Sequence, residues 1–104
     1  MVIRQKQSLD VVVVGSSNTD LVIKSARLPK PGMTELGGSY QVVSGGKGAN
    51  QAVAAARTGS RVVFVANIGR DDFGDDAMAQ LEREGISTRF VVRDRSAPSG
   101  VALI

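Results

Sequence analysis

The run Leu9-Asp10-Val11-Val12-Val13-Val14-Gly15 constrains this chain more than any other stretch. Valine is stiff at χ1 and favours extended backbone. Successive side chains of a strand point to opposite faces, so four consecutive valines leave no polar face. Such a strand is expected to be covered on both sides, as in a parallel sheet. The mixed residues before it are expected to fray. After Gly15, the polar stretch Ser16-Ser17-Asn18-Thr19-Asp20 predicts a turn at the strand's carboxyl end. Leu21-Val22-Ile23 is a second apolar run, too close to the first for an intervening helix.

Leu28-Pro29-Lys30-Pro31-Gly32 must be a loop, since two prolines and a glycine block helix and central strand alike. Met33 to Val43 reads as a more exposed, antiparallel strand interrupted by Gly37 and Gly38. The texture then changes. Ser44-Gly45-Gly46-Lys47-Gly48 is a glycine-rich turn, and the alanine-rich run from Ala49 predicts a helix that stops at Gly59. Its apolar stripe, Ala49, Ala52, Val53 and Ala56, is narrow and small, which implies close packing on a sheet. Arg61 to Gly69 predicts the next buried strand. Asp71 or Asp72 is expected to cap a second helix over Phe73 to Glu84, with Phe73, Ala77, Met78 and Leu81 inward. Thr88–Val92 and Val101–Ile104 are further strand candidates. The order β, β, β, α, β, α, β, β implies a parallel, right-handed α/β sheet. The strand pair between Asp20 and Val43 cannot join the helical layers and reads as a small flap at the sheet's carboxyl edge, where such sheets bind ligands.

With 104 residues the chain has one domain's worth of polypeptide, and 42% hydrophobic residues suffice for one core. It contains no His and no Cys, which excludes Ser-His-Asp and Cys-His catalysis, zinc fingers and a disulfide framework. The net charge of +3 is spread along the chain. Its densest basic run, Arg89 to Arg95, contains Asp94 and only one aromatic, Phe90, so no nucleic-acid footprint is expected. No segment has the composition of a membrane span or a signal peptide, and a cytoplasmic protein is expected.

Gly45-Gly46-Lys47-Gly48 leads straight into a helix, so helix N-terminal N–H groups and the positive dipole end face the loop. Physically this is a cradle for an anion or a polar ligand. A P-loop is ruled out by Gln41 and Gly48, and the dinucleotide fingerprint by Gln51. A tight strand-to-helix turn without a ligand is the competing reading. Asn18 and Asp20 fall at the same sheet edge and can donate to and accept from vicinal hydroxyls, as can Asn50 in the first helical turn. An Asx turn would equally account for Asn18 and Asp20. Asn50 is costly by propensity in an alanine-rich helix and asks for a reason. Capping alone suffices for Asp71 and Asp72.

Three segments, Val11 to Asp20, Leu28 to Gly32, and Gly45-Gly46-Lys47-Gly48-Ala49-Asn50-Gln51-Ala52, resemble the amino-terminal part of the ribokinase-like (PfkB) family of sugar and nucleoside kinases. The resemblance continues through Ile68-Gly69-Arg70-Asp71-Asp72-Phe73-Gly74 and Ser99-Gly100-Val101-Ala102-Leu103-Ile104. Lys47 and Gln51 favour the ribokinase branch over fructokinase-like or adenosine-kinase-like branches. The resemblance implies a Rossmann-like αβα sheet with a small β lid formed by residues 20–43 and 95–104. It implies that Asn18, Asp20, Gly46, Lys47 and Asn50 contact sugar hydroxyls, that Gly45 shapes the loop, and that Ala102 and Ile104 pack near the sugar. In the family the lid also makes the dimer interface.

For the family as a whole the resemblance implies ATP-dependent phosphorylation of ribose to ribose 5-phosphate, with magnesium and a monovalent cation. The family's second signature, with its catalytic aspartate and nucleotide pocket, has no counterpart in these residues. The expectation is therefore a truncated chain with a sugar-binding half and lid. It would have no catalytic residue, metal ligand or bound cofactor of its own, and no kinase activity alone. Exposed apolar edges predict a homodimer or strand-exchanged oligomer. A complementing carboxy-terminal half, a stand-alone sugar-binding module and a self-assembling protein without ligand remain open.

Overall fold

A computed structural model of the protein describes residues 10–104, and the expectations for Leu9 and the segment before it lie outside them. The elements are β1 (Asp10–Val14), β2 (Asn18–Lys24), β3 (Ser39–Gly45), α1 (Lys47–Arg57), β4 (Arg61–Gly69), α2 (Asp72–Arg83), β5 (Ser87–Asp94) and β6 (Gly100–Leu103). Their order is the one the sequence predicts. They form two three-stranded sheets. One has the order β1-β4-β5 and is wholly parallel. The other has the order β3-β2-β6, with β2 antiparallel to β3 and parallel to β6.

The core belongs to the first sheet. Alternation along β4 sends Val62, Phe64, Ala66 and Ile68 to one face, where they meet Val13, Ala49, Ala52, Ala77, Leu81 and Ile86. Phe64 and Ala52 are fully buried. Burying one such phenylalanine contributes about 1.5–3 kcal/mol. Helix α1 packs on β1 and β4, and α2 on β4 and β5. The small stripe behaves as expected: Ala49 and Ala52 are buried, while Val53 and Ala56 are half-buried against the core. It lets α1 approach so closely that a Cβ on Gly15 would lie 2.8 Å from Gly48 Cα. Asp71 caps α2 by accepting from Gly74 N–H at 2.8 Å, and Gly59 and Gly85, both at positive φ, follow the two helices.

The expectation that the valine strand is covered on both sides does not hold among the described residues. Val12 is 62% and Val14 75% exposed. The physical reason is topological. Both crossovers step the same way across the sheet, β1 to β4 to β5, and right-handed connections then place both helices on one face. Val12, Val14, Phe90 and Val92 stand exposed on the opposite face beside Val63 and Val65, which are half-buried.

Two further expectations are corrected. Asn18 to Asp20 are not a turn: the turn is Gly15–Ser17, and β2 starts at Asn18 because both its neighbours, β3 and β6, pair with it from that residue on. The strand foreseen over Met33–Val43 is instead Ser39–Gly45. Gly37 and Gly38 adopt positive φ and end the irregular segment, and the strand then runs on into the glycine-rich turn.

Candidate functional site

The second sheet carries two faces of different character. Pairing registers place Asn18, Asp20, Val43, Gly45, Gly100 and Ala102 on one side. Ile104 extends that row, since its N–H donates to Leu21 O and its carbonyl accepts from Ile23 N–H. The face is thus polar at its base, at Asn18 and Asp20, and apolar further out, at Val22, Ala102 and Ile104. The opposite side holds Thr19, Leu21, Ile23, Tyr40, Val42, Ser44, Val101 and Leu103.

Gly45 and Gly46 exist as glycines for steric reasons. A Cβ on Gly45 would lie 2.5 Å from Asp20 Oδ2, so the carboxylate rests directly over the bare backbone. Gly46 has φ 98°, where a side chain is strained, and lies against Ser16 O, Asn18 N and Ser17 Cα. This residue turns the chain from β3 into α1. The helix begins at Lys47, within the glycine-rich turn rather than at Ala49. No side chain caps α1 and its first turn holds no acid, so no carboxylate of that turn offsets the positive end of its dipole.

The structure therefore brings Asn18, Asp20, Gly45, Gly46 and Ala102 together on one edge. Lys47 and Asn50 follow at the start of α1, both exposed. Among the described residues no hydrogen bond or ion pair engages the side chains of Asn18, Asp20, Lys47 or Asn50. Asn50 also lines a cleft of about 20 Å³ with Ser17, Ser44 and Gln80 between the two helices. The Asx turn is not what Asn18 and Asp20 form, because both sit in a strand.

Sequence reasoning missed the residues that set where β6 lies. Asp71, read only as a cap, also accepts from Ser99 N–H and Ser99 Oγ, each at 2.7 Å. These bonds, with Gly74 N–H, hold its carboxyl below the ordinary carboxylate range. Asp94 accepts from Asn67 Nδ2, Ser96 N–H, Ser96 Oγ and Ala97 N–H. That set, led by Asn67, pulls its pKa down to about 2. Together the two carboxylates pin the segment between β5 and β6, and with it the approach of Ala102 and Ile104 to Asp20. No local signal links partners 28 residues apart. Gly69 supports the same junction: a Cβ there would meet the backbone of Pro98 and Ser99.

Chemically the edge offers a carboxylate acceptor, an amide that donates and accepts, an ammonium donor and an uncapped helix start beside an apolar wall. That set matches a polyhydroxylated ligand with one C–H face. Among the described residues no group of three or more Asp or Glu could hold a metal ion. No helix there is long and apolar enough to cross a membrane.

Comparison with known proteins identifies the family and the fold. A family model described as pfkB family carbohydrate kinase matches residues 8–104. The chain is 45% identical to mouse ribokinase over 101 residues, which is 97% of this chain and 31% of that relative. The crystal structure of ribokinase from Thermotoga maritima superposes with a TM-score of 0.79 at 42% identity, over 89% of this chain and 31% of that one. Ribokinase from Cryptococcus neoformans in complex with ADP gives 0.78 at 33% identity, over 92% and 30%. The chain thus spans about 31% of the length of the relatives it matches.

Proposed function

The chain belongs to the pfkB family of carbohydrate kinases, and from that premise we propose that it forms the sugar cradle of a ribokinase-type active site. The observation that carries this reading is the unengaged set Asn18, Asp20 and Lys47 around Gly45 and Gly46 at the uncapped start of α1. Asp20 accepts from adjacent hydroxyls of a pentose, and Asn18 donates to one and accepts from another. Lys47 and Asn50 approach from the helix. Ala102 and Ile104 cover the apolar side of the ring, and the second sheet acts as a lid built from residues 20–43 and 95–104. Phosphoryl transfer depends on positioning and water exclusion, both of which a lid supplies.

Whole relatives named ribokinase phosphorylate sugar with ATP in this reading. Among the described residues no group of three or more Asp or Glu could hold a metal ion, and no step is routed through magnesium, a monovalent cation or the nucleotide. The 104-residue chain then binds ribose without phosphorylating it. Titration calorimetry tests this: ribose binds the wild type and binding is lost in Asp20→Ala, while 2-deoxyribose, lacking one hydroxyl, binds more weakly. Heat of binding unchanged in Asp20→Ala overturns the reading.

The open valine face favours one addition. Val12, Val14, Phe90 and Val92 are an apolar surface that a complementing carboxy-terminal half would cover, restoring a kinase. The same surplus of uncovered surface favours self-association of the chain when it is alone. ATP-dependent phosphorylation of ribose by the pure chain, above a Lys47→Ala control, would contradict the inactive-alone reading.

A further inference from the structure

Glycine contributes no packing to a strand, so a glycine in a sheet marks a place where something approaches closely. Six of the twelve glycines hold a positive φ, and that conformation accounts for them. The other six have no such φ. At four of these, Gly15, Gly48, Gly69 and Gly74, a Cβ would run into backbone. Gly45 and Gly100 differ, because what a Cβ would meet there is a polar side chain. At Gly45 it is the Asp20 carboxylate. At Gly100 it is Asn18 Oδ1, while the backbone oxygen of Ser17 lies 3.9 Å away, in ordinary contact.

The registers put Asn18 directly between these two glycines, paired with Gly45 on one side and Gly100 on the other. The Asn18 carboxamide leans across β6 onto Gly100. The Asp20 carboxylate leans back across β3 onto Gly45. Neighbouring strands lie about 4.8 Å apart, so the flanking glycine backbones are about 9.6 Å from each other. The two polar heads are thus drawn to opposite sides of β2 along one crosswise row. Among the described residues no hydrogen bond engages the Asn18 carboxamide. Its place is given by room alone.

We infer that Gly100 is a positioning residue for the sugar: the space left by its missing side chain seats the Asn18 carboxamide, and Gly100 acts on the ligand only through Asn18. This rests on the sugar-cradle reading and adds to it a residue of β6. An alanine at position 100 fills the seat and turns the carboxamide out of it. The donor and acceptor ends of the amide then no longer face the hydroxyls they serve. The group displaced is a side chain free to turn, so the fold accepts the substitution while the cradle does not. At Gly69, by contrast, a Cβ would press on the backbone of Pro98 and Ser99, and a substitution there disturbs the fold itself.

A double-mutant cycle tests this, with ribose titrated calorimetrically into the wild type, Asn18→Ala, Gly100→Ala and the double variant. Removing the hydrogen bonds of Asn18 is expected to weaken ribose about 10-fold. Gly100→Ala is expected to weaken it by the same factor. The double variant should match Asn18→Ala within about twofold, because nothing is left for Gly100 to place. A purely structural role, exerted through β6 on Ala102 and Ile104, would multiply the two losses instead. Nuclear magnetic resonance of the free wild type reads the seat without any sugar. An Overhauser contact is expected between the Asn18 Nδ2 protons and Gly100 Hα, and Gly100→Ala should shift that side-chain amide while leaving the Phe64 amide in place. Multiplied losses, undiminished ribose affinity in Gly100→Ala, a Gly100→Ala chain unfolded by circular dichroism, or no Overhauser contact would each overturn the role of Gly100. A wild type that shows the contact but gives no heat with ribose overturns the sugar reading, and the role of Gly100 falls with it.

Discussion

At the scale of single residues, Gly45 shows how little space the cradle leaves. Asp20 lies where a side chain at position 45 would go. Gly45→Ala should therefore turn the carboxylate away and abolish ribose binding, with the circular dichroism spectrum unchanged. Asp94 makes a prediction of a different kind. Its folded pKa of about 2 lies below the ordinary value near 3.9. A depressed carboxylate stabilises the fold at pH above its unfolded pKa, and that contribution is lost as pH falls through the folded one. Urea melts should show Asp94→Ala less stable than wild type at pH 7, with the gap closing towards pH 2. A gap independent of pH would contradict this origin. Asn18, Asp20 and Lys47 were legible because a strand end and a glycine-rich turn announce themselves within a few residues. The second role of Asp71 was not, because its partner Ser99 is 28 residues away.

Elements were legible to the degree that their ends are marked locally. Both helices carry their own stop glycines, and α2 its own cap, so their bounds fall within two residues of expectation. β2 and β3 are set instead by each other: Asn18 reads as a turn residue until Gly45 and Gly100 pair with it. β6 is held from outside by Asp71. Asp71→Ala should speed amide hydrogen exchange at Val101 and Ile104 more than at Phe64, whereas a purely capping role would localise the change to the first turn of α2. Ala52 has no exposed surface. Ala52→Leu overpacks the α1–sheet contact and should cost about 1–3 kcal/mol in chemical denaturation.

For the molecule as a whole, the valine run promised cover on both sides, and the described residues supply it on one. A radius of gyration of 17.8 Å, against about 13 Å for a compact chain of this length, belongs to the same pattern of surface left open. Local patterning shows that a strand wants two covers but does not say which polypeptide provides the second. The central claim is that the Asn18–Asp20 edge holds a sugar while the groove between Thr19 and Val42 of the second sheet and Phe73, Asp76 and Arg83 of α2 does not. Nuclear magnetic resonance of the isotope-labelled chain titrated with ribose tests it most directly. The account predicts amide shifts confined to Asn18–Asp20, Gly45–Asn50 and Ala102–Ile104. Shifts centred on Phe73, Asp76 and Arg83, or no shifts at saturating ribose, would contradict it.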